Sequence, residues 1–386
     1  MANKGKVIML MDNPFLSDDR VEKEIKSLVS NNYEVVVYAS QSNTLPGEET
    51  KFKVTVKRIL NVEYLRKPFS KEFKKHAETI SFLISQEKAD VIHCHDYHVL
   101  NIGLAVKKQT PSIKLVYDAH EWLKGYHPYK EAKGFINKVK AYLVWQKEIM
   151  NETIALKHID ALISISEPIL NFINKKIAHR TYLYNVPDVS EVVTSDIDLK
   201  GLLGIKSNQK LAVFVGNIYV SNNSFLKFAE ALYNNDVSMV VFGNKKRHDE
   251  LKDTMVSLPK LSKHIFFHDY LTQAERINII SSADFGVIFH PIDRPSNYYS
   301  MSNRWFEFLA AGLPVFSTEI EAALKSEAEP NSYVTTFNKS NIEKKLKSLL
   351  NDLENMKLAA NSNMQKYTWE NEEPKLLKLY NDLVEK

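Results

Sequence analysis

The sequence predicts an α/β protein of two domains, each built on a parallel sheet layered with helices. Three observations carry that reading. Short apolar runs alternate with helical stretches in both halves of the chain, as expected for strands buried on both faces. The alternation breaks at residues 185–210, whose polar stretch VTSDIDLKGLLGIKSNQK reads as a linker, and then starts again. The length of 386 residues is also more than one compact core organises.

In the first half, strands are expected at 7–11, 34–39, 91–93, 114–117 and 161–164. Helices lie between them, such as 21–30, which Asn31 and Asn32 end. In the second half, strands are expected at 211–215, 238–242, 264–267, 285–289 and 315–317, and a last helix at about 374–385. The boundaries that follow are 1–190, 191–368 and a terminal segment 369–386. Two like halves imply two sheets facing one cleft. No solenoid period and no low-complexity tract interrupts the pattern.

Composition narrows the function. With 44% hydrophobic and 25% charged residues the chain reads as soluble and globular. No apolar run reaches the ~20 residues of a membrane span, and the N-terminus shows no signal-peptide core, so a cytoplasmic location is expected. The balance of 51 basic and 47 acidic residues argues against nucleic acid as a partner. Cys94, the single cysteine, excludes an internal disulfide and a cysteine-based zinc site, and is expected buried in a strand.

Residues 124–147 mix lysines, Lys124 and Lys147 among them, with Tyr126, Tyr129, Phe135, Tyr142 and Trp145. Two readings stand side by side: a helix lying on the inner face of an anionic membrane, or a solvated face with a buried aromatic stripe. Arg66, Lys67, Lys71, Lys74 and Lys75 could extend the first.

The chemistry concentrates in residues 285–318. They read as a strand, a polar loop, a helix opened by Ser302 and closed by Gly312 with Pro314 beyond, and a second strand. A helix that opens past a strand end turns unpaired N–H groups toward a ligand crevice. Asn303 and Arg304 occupy its first turn, where an anion would be held. One turn on, Glu307 can accept from a sugar's paired hydroxyls. Gly216, after the strand at 211–215, lets a backbone approach phosphate. His93 and His95 in IHCHD share a strand face, as metal ligands could, but no third ligand accompanies them and no metal is expected. His120 in YDAHE stands at a strand's carboxyl end, where open α/β sheets bind ligands. In DxRVxxE, Arg20 can pair with Glu24 at i, i+4.

Ser302, Asn303, Arg304, Glu307, Phe308, Ala310, Gly312, Pro314 and Val315 resemble the S-x-N-K-x-x-E-[YF]-x-A-x-G-x-P-V segment of GT-B glycosyltransferases, especially glycosyltransferase family 4. IHCHD, YDAHE and the opening at Asp18, Arg20, Val21 and Glu24 resemble other segments of that family, and Tyr367 to Glu370 resembles the start of its last helix. The resemblance implies the GT-B fold, two Rossmann-like domains facing a cleft, with the C-terminal helix crossing back to the first domain. It implies a transferase that moves a sugar from a nucleotide-diphosphate sugar to a glycan, lipid-linked or other acceptor hydroxyl. Retention of configuration, no divalent metal and no cofactor go with it, as does a place in polysaccharide biosynthesis.

Carried onto this chain, the resemblance implies donor binding by Gly216, Asn217, Gly243, Tyr270, Ser302, Asn303, Arg304 and Glu307. His120 and Glu121 become the catalytic candidates, and Asp12, Asn13 and Asp96 the acceptor side. The chain departs from the family at Tyr299, where many members carry a first glutamate, and at Asn217 and Asn222, in place of an Arg and a Lys. Arg304 and Arg294 are the candidates for the missing cation. The alternatives are a nucleotide-sugar epimerase and a non-catalytic scaffold in polysaccharide assembly.

Overall fold

The structure, a computed structural model, describes residues 3–173, 176–188, 197–216, 223–256, 258–269, 271, 273–289, 294–318, 332–335 and 339–384. Chain contacts divide it into two compact units, Met1–Asn185 with Glu370–Lys386, and Val186–Trp369.

The first unit holds β1 (Gly5–Met11), β2 (Tyr33–Ser40), β3 (Glu48–Lys51), β4 (Val54–Leu60), β5 (Val91–His95), β6 (Lys114–Ala119), β7 (Ala161–Ser164) and β8 (His179–Tyr182). They form one sheet in the order β3-β4-β2-β1-β5-β6-β7-β8, parallel except for the β3/β4 pair. β1 is central, with Val7 facing Val35 on one side and Val91 on the other. Residues Val7 to Leu10 are wholly buried, which explains their unbroken apolar run. β3, β4 and β8 were not expected from sequence. β4 alternates buried and half-buried positions, and β3 is polar and exposed at the sheet edge, so neither carries a continuous apolar signal.

The helix Asp19–Ser30 starts where Asp18 accepts from the Val21 N–H and stops at Asn31, with Asn32 at φ 66°. The last helix, Trp369–Val384, begins earlier than expected and carries Pro374 inside it. Its Tyr380 is fully buried in the first unit, edge-on to Tyr33 with ring centroids 5.5 Å apart. Cys94 is buried in β5, and burial pushes its thiol up.

The second unit holds β9 (Lys210–Val215), β10 (Val237–Gly243), β11 (Ile265–Asp269), β12 (Phe285–Ile288), β13 (Val315–Thr318) and β14 (Ser332–Thr335). Their order is β11-β10-β9-β12-β13-β14, and every pairing is parallel. The order reverses between β9 and β12, as it does between β1 and β5 in the first unit. Such a reversal opens a crevice at the carboxyl ends of the strands. Gly286 sets the position of the helix Asn303–Ala310: a Cβ there would lie 2.3 Å from the Phe308 ring, so only glycine lets the helix pack this close to β12. Trp305, Phe306, Phe308 and Leu309 are buried beneath it, each contributing about 1.5–3 kcal/mol.

Candidate functional site

In the first unit the residues that follow β1, β5 and β6 build one polar cluster. Arg20, buried on the helix Asp19–Ser30, donates from Nε and Nη2 to the two oxygens of Asp118 at 2.9 and 2.8 Å. Its Nη1 donates to the Leu183 carbonyl at 2.9 Å, and Glu24 lies 3.1 Å from Nε, so the i, i+4 pair forms but Asp118 is the main partner. Burial would raise the Asp118 carboxyl, but Arg20 and His120 hold it well below the usual range.

His120 stands between two carboxylates. Its Nε2 is 3.1 Å from Asp118 Oδ2, its Nδ1 is 3.6 Å from Asp96 Oδ2, and its backbone N–H donates to Asp96 Oδ1 at 3.0 Å. Burial would lower its pKa, yet Asp96 and Asp118 raise it to about 10. At neutral pH His120 is therefore an imidazolium, a fixed positive charge and a donor rather than a base. Asp96 is free to serve it because, at φ 72°, it caps no N–H of the following helix. That left-handed backbone costs about 1–3 kcal/mol, a strain typical of functional loops.

Behind this pair, His93 and His95 stack with ring centroids 4.2 Å apart, and His93 Nδ1 meets the Tyr380 hydroxyl at 2.8 Å. Burial and the neighbouring His95 hold His93 well below its usual range. Glu24, His93, His95 and Asp118 place ligand-type atoms within 4.8 Å of one another. Arg20 and His120 already bring two positive charges to the three carboxylates Glu24, Asp96 and Asp118. A single proton completes the balance, and burial with Asp118 raises the Glu24 carboxyl accordingly. The cluster reads as a charge network.

Beside it opens a cavity of about 550 Å³, entirely within the first unit, lined by Asp12, Asp96, Glu121 and Glu148 and walled by Tyr126 and Trp145. Asp12 pairs with His98 at 3.0 Å, and this hydrogen bond lowers the carboxyl and raises the imidazole. Asn13 faces its own loop instead, donating to Asp18 at 3.2 Å and accepting from the Phe15 N–H at 2.8 Å. Sequence reasoning missed His98 and Glu148, which stand among other polar residues on their helices with no pattern to single them out.

In the second unit two glycines abut at the carboxyl ends of β9 and β10. Gly216 has φ 138°, and a Cβ on Gly243 would fall 2.5 Å from the Gly216 carbonyl oxygen. The helix Asn303–Ala310 opens as expected, with Ser302 Oγ accepting from the Arg304 N–H at 3.3 Å and Asn303 exposed in the first turn. Asn217, Tyr270 and Asn222 lie outside the described residues.

Glu307 lies one turn into the helix Asn303–Ala310. It is fully buried, and its oxygens accept from Arg276 twice at 2.8 Å, from Gln273 at 3.3 Å and from Arg304. Burial would raise this carboxyl, but Arg276 and Arg304 hold it below its ordinary value. Glu307 thereby anchors two arginines, with three of these bonds on Oε1 and one on Oε2. Arg276 also donates to the Leu271 carbonyl at 2.8 Å. Nothing in the sequence flagged Arg276, since its partner lies 31 residues away. Arg304 keeps a quarter of its side chain exposed at the helix mouth.

Residues 20–185 match the Glycosyltransferase Family 4 pattern, and residues 209–352 match Glycosyl transferases group 1. Among solved structures, sucrose-phosphate synthase from Thermosynechococcus elongatus is similar with a TM-score of 0.77 at 14% identity, covering 98% of this chain and 99% of that one. HepE of Anabaena in complex with UDP-glucose follows at 0.68 and 14%, covering 99% and 98%. The catalytic domain of starch synthase IV from Arabidopsis thaliana, bound to ADP and acarbose, gives 0.67 at 13% over the full length of both chains. At these identities the likeness is one of fold. No curated protein matches the chain.

Proposed function

The chain belongs to the GT-B glycosyltransferases, its two halves carrying the family 4 and group 1 patterns, and we propose that it moves a sugar from a nucleotide-diphosphate sugar to an acceptor hydroxyl with retention and without a divalent metal. In this reading the second unit holds the donor and the first holds the acceptor. The observation that carries it is the mouth of the helix Asn303–Ala310. The N-terminus of that helix, where Asn303 is exposed, and Arg304, held by Glu307, follow β12 at the strand-order reversal, and Gly216 and Gly243 close strands β9 and β10 of the same sheet.

The reaction breaks the bond from the anomeric carbon to the leaving phosphate oxygen and forms one to the acceptor oxygen. The acceptor's proton passes to the departing phosphate, so no separate base is required. Charge gathers on that phosphate. In this reading Arg304 and the helix N-terminus receive it, the kind of interaction that supplies the largest catalytic effects. Arg304 thereby takes the part of the cation pair that Asn217 and Asn222 cannot play. His120, held as a cation, serves as a donor to substrate oxygen, while Glu121 and Asp96 orient acceptor hydroxyls at the cavity.

The acceptor is a glycan or a lipid-linked sugar. The helix Phe135–Ala155, which walls the cavity with Trp145, exposes Phe135 by 81%, Ile136 by 69% and Leu143 by 61% beside Lys138, Lys140 and Lys147. Exposed apolar residues among lysines suit contact with an anionic membrane surface. Among the described residues no helix is long and apolar enough to cross a membrane.

The test is a thermal-shift screen of UDP-, GDP- and ADP-sugars on the wild type and Arg304→Met, followed by product analysis. One nucleotide class should raise the melting temperature, less so in the variant, and turnover should release free nucleoside diphosphate. An isomerised sugar nucleotide would mean an epimerase. Absence of any binding would remove the reading.

A further inference from the structure

The cavity beside His120 carries information about the acceptor's charge. Its lining brings Asp12, Asp96, Glu121 and Glu148 together; Asp12 is bound to His98 and Asp96 is paired with His120, so Glu121 and Glu148 stand against the single lysine, Lys140. An excess of carboxylates in a partly enclosed space makes a negative field, which repels anions and attracts cations. The walls supply the other half of the argument. Tyr126 and Trp145 line the wall; Trp145 is largely buried against His127, Tyr129 and Tyr142, leaving only an edge to the cavity, and is fixed by its Nε1–H, which donates to the Leu123 carbonyl at 2.8 Å. Rigid aromatic rings pack against the apolar face of a pyranose while carboxylates accept from its hydroxyls.

We propose that this cavity takes an uncharged or amine-bearing sugar unit and rejects a phosphorylated one. The inference rests on the reading of the first unit as the acceptor side, and narrows it from any hydroxyl acceptor to one whose reacting sugar carries no phosphate. Burial pushes the Glu121, Asp96 and Glu148 carboxyls upward, and Asp96 adds to the rise at Glu121. If the acceptor is lipid-linked, its phosphates belong outside the cavity, with the lysines of the helix Phe135–Ala155.

Binding of glucose, galactose and mannose, each beside its 2-amino and 6-phosphate form, tests this by calorimetry and by tryptophan fluorescence, with Trp145→Phe as control. The neutral or amino form should bind about tenfold more tightly than the 6-phosphate, and Glu121→Gln/Glu148→Gln should shrink that preference. A 6-phosphate that binds as tightly as its parent sugar, or more tightly, overturns the inference and leaves the acceptor reading standing. Binding of none of the nine, or binding that Trp145→Phe leaves unchanged, overturns both.

Discussion

Arg20 grips Asp118 through two parallel hydrogen bonds of 2.9 and 2.8 Å, and that carboxylate in turn receives His120 Nε2 at 3.1 Å. A residue of the first helix thus sets the chemistry at the end of β6, 98 positions away in sequence. Both members are buried, so the fork geometry and the extra bond to Leu183 decide whether the pair is tolerated.

Removing both partners should therefore cost less than the two single removals added together. Asp118→Ala or Arg20→Ala leaves an uncompensated buried charge and is expected to destabilise by about 3–5 kcal/mol, while Arg20→Met/Asp118→Leu should cost clearly less than the sum. Urea denaturation of the four proteins checks this, and additive losses would mean that the pair is not coupled.

His120 gives a pH dependence with a definite sign. Its pKa is about 10 in the folded protein against an ordinary 6.5, because Asp96 and Asp118 outweigh the effect of burial. The stabilisation is complete below about 6.5, fades as pH rises, and is lost through about 10. The melting temperature should fall between pH 7 and pH 10, and the fall should be shallower in His120→Gln. Equal slopes would show that the two carboxylates do not hold the imidazolium.

At Glu307, truncation to alanine should behave as loss of a buried counter-ion. Arg276 would keep its bond to Leu271 but lose both bonds to the carboxylate, a cost of about 3–5 kcal/mol. Glu307→Gln, which preserves shape and one acceptor, should cost less. A Glu307→Ala protein as stable as wild type by denaturation would contradict the anchoring role.

The exposed face of the helix Phe135–Ala155 predicts a lipid dependence. Phe135→Ser/Ile136→Ser/Leu143→Ser should reduce sedimentation with anionic vesicles, and added salt should weaken binding of the wild type. Identical partitioning of wild type and variant would leave that face as plain solvent-exposed surface.

What the sequence made legible follows from physics. Strands buried on both faces, such as β1 and β10, announce themselves as apolar runs, and the helix Asn303–Ala310 announces itself through Ser302 and Gly312. Edge strands such as β3 and β8 do not, because their burial is partial and their residues polar or mixed. Near the candidate site, the positions of Asp12, Asp96, His120, Glu121, Gly216 and Gly243 at or just past strand ends were readable. The partners that hold functional groups were not. The bonds from Arg20 to Asp118 and from Arg276 to Glu307 join residues far apart in sequence, and neither partner's spacing betrays the other. For the same reason the sequence does not show that Glu307 anchors Arg276.

The central claim is that the first turn of the helix Asn303–Ala310 holds the donor's diphosphate. A crystal structure with whichever nucleoside diphosphate raises the melting temperature most addresses it directly. The account predicts phosphate oxygens on the N–H groups of that turn and within reach of Arg304. Phosphates bound elsewhere, with that turn and Arg304 untouched, would contradict it.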